Sequence, residues 1–132
     1  MAFWLLKTEP DEFSWEDLSR DKEAVWDGVK APAAIKNIRR MQPGDLAFIY
    51  HTGKERRIVG IGEITSLPYA DPLNKELVFK IIPRQELPNG VTLANIKKSG
   101  MFAEWDLVRL PRLSVMPVSE AQWDLVIKWA AE

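Results

Sequence analysis

The sequence predicts an α+β domain: a small, partly open β-barrel of about six strands, with short helices inserted between them and a longer helix last. Three observations carry this. Apolar runs of strand length recur from Phe3 to Val118. Nine prolines and seven glycines break the chain into short pieces. The clearest 3.6-residue stripe is the final one, Trp123, Val126, Ile127 and Ala130. A doubly wound parallel sheet needs long helices between its strands, and this pattern does not supply them.

In chain order, Phe3-Trp4-Leu5-Leu6 reads as a buried first strand, ended by Lys7-Thr8-Glu9-Pro10 because Pro10 has no amide to extend a ladder. Ser14 starts a short helix with Asp17 as a capping-box partner and Phe13 placed to staple against Leu18. Ser19 to Glu23 is a polar crossing that leads to Trp26-Asp27-Gly28, an aromatic beside a tight turn. Pro32 suits a first helical position. Ile35, Ile38 and Met41 then share one face of the helix and leave Lys36, Arg39 and Arg40 on the others. Pro43 and Gly44 fit the centre of a type II turn, followed by an alternating strand from Leu46 to His51.

Thr52-Gly53-Lys54-Glu55 reads as a hairpin connection to a returning strand, Arg57 to Ile64. Its Gly60 and Gly62 lack the third glycine and the helix of a phosphate loop, so they signal close packing at a bend. A proline-bracketed loop, Leu67 to Pro72, precedes a strand from Lys75 to Ile82, which Pro83 and Pro88-Asn89-Gly90 are expected to close. Thr92 caps a helix ended by Gly100. Met101 to Val108 is a turn or short helix followed by extended chain. Leu113 to Val118 is a strand near a sheet edge, since Pro117 would break a central ladder. Ser119 and Gln122 form the capping box of the last helix, which is expected to lid the barrel.

At 132 residues, 46% hydrophobic and 28% charged, the chain has the size and composition of one soluble domain. With no cysteine it has no disulfide or thiolate chemistry. MAFWLLKTEP has neither a basic leader nor a membrane-length apolar run, so a cytoplasmic, non-membrane protein is expected; a monomer is expected as well. The net charge of −1 conceals polarity. Residues 30–57 hold seven basic and two acidic side chains, whereas residues 1–29 hold three and eight. A basic stretch beside an aromatic is a footprint for phosphates and flat bases, although an ordinary solvated helix also carries Lys and Arg.

Catalysis finds little support. His51 is the one histidine, no serine stands in a nucleophile elbow, and no His/Cys/Asp/Glu cluster has ligand spacing, so neither a metal nor a cofactor is expected. Among the tryptophans, Trp4 and Trp123 belong to apolar patterns and read as core. Trp129 falls off its stripe, and Trp15 and Trp105 are undecided. Trp26 stands apart with no periodic apolar neighbours, which suggests a recognition platform.

Six stretches then resemble the EVE domain family in the family's own order: Trp4 to Pro10, Val25 to Lys30, Asn37 to Thr52, Ile58 to Ile64, Tyr69 to Pro72, and Arg112 to Trp123. The resemblance implies a PUA-like pseudo-barrel, distantly akin to the YTH readers of methylated adenine, that binds modified DNA or RNA. It implies a base pocket in which Trp26 stacks on the base, with Lys7, Thr8, Asp27, Tyr50 and His51 around it. Lys30, Lys36, Asn37, Arg39, Arg40 and Thr52 would form the rim and phosphate contacts. Departures from the family pattern are Lys30-Ala31 for an Arg-Asn pair, Ile35-Lys36-Asn37 for Arg-Asn-Asn, and Thr52 for the serine of "YHS". The expected function is a non-enzymatic reader of a methylated cytosine or adenine type of base. The alternatives are a PUA-type RNA binder without that selectivity, or a small-molecule or protein-interaction module.

Overall fold

The computed structural model describes residues 1–132. Its elements are β1 (Phe3–Thr8), α1 (Trp15–Asp21), β2 (Ala24–Trp26), α2 (Pro32–Ile38), β3 (Leu46–His51), β4 (Arg57–Ile64), β5 (Tyr69–Ala70), β6 (Leu77–Thr92), α3 (Leu93–Ser99), α4 (Asp106–Arg109), β7 (Val115–Val118) and α5 (Glu120–Ala130). The strands form one path, β2-β6-β4-β3-β1-β7, with β5 paired to β6. Only β1 and β3 run parallel to each other. The sheet has seven strands, more than expected. β2 and β5, three and two residues long, are too short for any hydrophobic period to register, and the extended chain expected by Val108 is instead helix α4.

The sheet curls into a half-barrel with the helices around it. Its edges, β2 and β7, do not pair with each other. Helix α2 packs against both β6 and β7 and so bridges part of the seam between them. Pro117 lies on β7, which pairs only with β1, so its missing amide faces no ladder.

One expected strand end is absent. β6 runs through both Pro83 and Pro88-Asn89-Gly90, because its register against β4 slips at Ile61/Gly62 and again at Ile58/Gly60. The prolines therefore fall where the ladder is already interrupted. The glycines of β4 admit close neighbours. A Cβ at Gly60 would lie 2.5 Å from the Trp15 ring, and one at Gly62 2.7 Å from the Ile81 side chain.

A single cluster of 33 residues forms the core, so every strand but β5 and all the helical covers share one apolar interior. Trp123 stacks on Phe48 and Phe3, with ring centroids 3.9 and 4.4 Å apart, which seats α5 on the sheet. Trp105 is buried against Phe102, and Trp129 packs on Phe102 from the other side of its helix stripe. The capping boxes at Ser14 and Ser119 are both fully formed. No helix is long and apolar enough to cross a membrane.

Candidate nucleic-acid interface

Parallel pairing of β1 with β3 brings the ends of both strands to one side of the sheet, with Lys7 opposite Tyr50 and Thr8 opposite His51. The Thr52 N–H donates to Thr8 O at 3.0 Å, and the Lys7 N–H donates to Ser114 O at 2.9 Å, which draws in the segment leading to β7. The end of β2 supplies the remaining side. Between them lies an open cleft of about 670 Å³ at the unpaired seam of the half-barrel. That volume is in the range of small-molecule sites. Lys7, Thr8 and Phe13 line one wall, Trp26 to Val29 another, and Arg112 with Ser114 a third.

Trp26 occupies this wall in a way its sequence context does not reveal. It belongs to β2, pairs with Phe79 in register, and is only 7% exposed. Phe79 lies nearly parallel to it at 6.4 Å and Phe13 meets it edge-on at 6.1 Å. The indole is therefore a core residue that presents its remaining surface to the cleft, and not a free-standing platform. Its apolar neighbours come from β6 and from the approach to α1, far away in sequence.

Lys7 is half-buried, donates to Pro111 O at 2.9 Å, and lies 5.7 Å from the Tyr50 ring centroid. Burial pushes its ammonium below the ordinary lysine range. Thr8 Oγ1 donates to Phe13 O at 2.7 Å, which ties the wall carrying Phe13 to the end of β1. Asp27, Glu9 and Glu12 border the cleft as well, so its lining holds three carboxylates against two cations, Lys7 and Arg112. Such a cleft offers a flat apolar wall with donors and acceptors of both signs around it. This chemistry suits a polar aromatic ring better than a bare phosphate.

Tyr50 and His51 do not line this cleft. They are consecutive on a strand, so their side chains leave on opposite faces. Tyr50 is buried beside a neighbouring groove, where burial raises its hydroxyl pKa and the Arg56 charge pulls it back. His51 is buried as a strut. Its Nε2 accepts the Trp15 N–H at 3.0 Å, so Nδ1 carries the proton and donates to Glu55 Oε1 at 3.0 Å. That hydrogen bond is the main reason the Glu55 carboxyl lies below its ordinary range.

Of the rim candidates, Thr52 reaches the cleft, and the α2 residues do not. The Asn37 side-chain amide donates to Val115 O at 2.7 Å and stitches α2 to edge strand β7. Lys30 faces Glu76 at 3.7 Å. Lys36 and Arg39 are exposed, and Arg40 lies over the Trp4 ring at 5.6 Å. The basic face of α2 is thus real but stands away from the cleft mouth. Residues not singled out beforehand include Arg112, which opens the last family-like stretch, and Phe13, which the sequence marks only as a helix staple. No group of three or more His, Cys, Asp or Glu side chains converges as a metal site.

A curled mixed sheet, helices on its outside and a cleft at its open seam define a PUA-like α+β domain. The family model of the EVE domain matches residues 2–129, and the chain belongs to that family. Mouse thymocyte nuclear protein 1 is 29% identical over a 163-residue alignment covering 95% of this chain and 72% of that protein. The solved structure of Rpa0253 from Rhodopseudomonas palustris superposes with a TM-score of 0.93 at 35% identity, covering 99% of this chain and 94% of that one. Human THYN1, solved in complex with 5-methylcytosine-containing DNA, superposes with a TM-score of 0.91 at 24% identity, covering 100% and 99%.

Proposed function

We propose that this chain is a non-enzymatic reader of modified bases in nucleic acid, taking one flipped base into the cleft at the seam. The observation that carries the proposal is the position of Trp26, a flat ring held by Phe79 and Phe13 at the wall of an open cleft. A rigid aromatic wall stacks on any base, and polar groups around it select among base edges. Lys7, Thr8, Asp27 and Arg112 are the groups in reach, and they offer hydrogen-bond donors and acceptors. The 5-methylcytosine-containing DNA bound by human THYN1 supports a methylated cytosine as the first base to try.

The test compares single strands carrying 5-methylcytosine, N6-methyladenine or no modification, as DNA and as RNA. One modified strand is expected to bind best. Equal affinities throughout would favour a PUA-type binder without base selectivity. Trp26→Leu keeps apolar bulk but removes the flat ring, so it should weaken the preferred strand by the roughly 1–3 kcal/mol typical of one stacked base. Trp26→Phe should recover most of that loss. Full preference retained in Trp26→Leu would remove the stacking role. Trp26→Ala is the wrong probe, since emptying a site this buried costs about 3–5 kcal/mol of stability.

A further inference from the structure

The cleft cannot supply much of the phosphate attraction that nucleic-acid binding needs, because carboxylates outnumber cations along its lining. The groove next to it is built differently. It lies on the other side of Lys7 and shares Lys7, Thr52 and Pro111 with the cleft. Its lining adds Arg56 and Lys97 and contains no carboxylate. Its volume is about 370 Å³. Tyr50, Leu93, Leu107 and Val108 give it an apolar floor.

The state of these cations matters as much as their number. Arg20, Lys30, Arg57, Arg84 and Arg109 are each engaged with a carboxylate. Lys7, Arg56 and Lys97 have no such partner; Lys7 and Arg56 donate only to the backbone carbonyls of Pro111 and Gly53. Arg56 is held in left-handed backbone at φ 44° beside the β3–β4 hairpin, and Lys97 projects from α3, so two separate elements aim charge at one furrow. Three unpaired cations over an apolar floor match a sugar-phosphate strand, in which anionic oxygens alternate with flat or apolar faces.

We propose that this groove between the β3–β4 hairpin, α3 and α4 holds the phosphates and sugars that flank the base in the cleft. The strand then leaves the cleft across Lys7 and does not run along the basic face of α2. The proposal rests on nucleic acid being the ligand of the cleft, and it adds the path of the strand and the source of the salt-sensitive term.

The experiment measures the salt dependence of binding for the native chain, an Arg56→Gln/Lys97→Gln variant and a Lys36→Gln/Arg39→Gln variant, on modified and unmodified strands of the same sequence. All four positions are exposed, and thermal melts check that both variants stay folded. Each phosphate contact contributes roughly 0.7 to the log–log salt slope for a single strand, so the groove variant should lose about 1.4 of that slope. Between about 50 and about 200 mM salt, the native chain should therefore lose roughly sevenfold more affinity than that variant. The loss should be equal for modified and unmodified strands, leaving their ratio unchanged. The α2 variant should keep the native slope. An unchanged slope in the groove variant, or a slope lost in the α2 variant, overturns the strand path while a modified-base preference in the native chain still stands. A slope lost in the groove variant without any modified-base preference supports the path and overturns the reader. No binding of any strand by the native chain overturns both.

Discussion

Asp45 is the residue on which the junction of β1 and β3 depends. It is 2% exposed, its Oδ1 accepts the Ala2 N–H at 3.0 Å, and its Oδ2 accepts both the Trp4 indole N–H and the Gln42 N–H at 2.9 Å. In the sequence it looks like the last residue of a Pro-Gly turn. Its partners at Ala2 and Trp4 lie more than forty positions away, so no local pattern can announce them. Asp45→Ala leaves three donors without an acceptor; the Trp4 indole N–H is buried and costs about 1–3 kcal/mol unmet, whereas the Ala2 and Gln42 amides are part-buried and within reach of water. The expected result is a loss of about 1–3 kcal/mol in urea unfolding with an unchanged slope. A loss under about 1 kcal/mol would mean that water replaces the carboxylate at little cost. Trp26 has the same history. Its burial is decided by Phe79 and Phe13, and its cleft-facing role by a seam that only the closed tertiary structure creates.

Elements were legible in proportion to how locally they are determined. The capping boxes of α1 and α5 and the Pro32 start of α2 need only neighbouring residues, and all three stand as expected. β2 and the length of β6 depend on partners far away in the chain, which no local pattern reveals. Strand alternation alone could have separated Tyr50 from His51, since neighbours on one strand face opposite ways. The α1–hairpin link through His51 gives a pH prediction. The folded Glu55 carboxyl titrates below its ordinary value of 4.5, chiefly through the His51 hydrogen bond. For such a depressed carboxyl, the stability it contributes is complete above the unfolded value and is lost as pH falls through the folded one. Thermal midpoints of the native chain should therefore decline as acid is added below about pH 4.5, and Glu55→Gln should show a shallower decline. Parallel curves for the two proteins would remove Glu55 from the acid response.

At the scale of the whole molecule, composition and turn spacing made a half-barrel legible, whereas the location of its opening depends on which strands end up unpaired. The outcome is one interior shared by every element but β5 and a mouth where β2 and β7 fail to meet. Keeping that mouth leaves two strands whose backbone groups could pair with another copy of the chain. Both are guarded: β2 is three residues long, and β7 carries Pro117 while its Val115 carbonyl is taken by Asn37. Asn37→Ala with Pro117→Thr strips the guard from β7. That variant should remain folded at low concentration but self-associate on concentration in sedimentation velocity, and a species of constant size would refute the idea. An open hollow for a ligand and resistance to fibrous stacking are thus one problem for this architecture, and a proline and an amide on the far side of the opening are what let the chain have both.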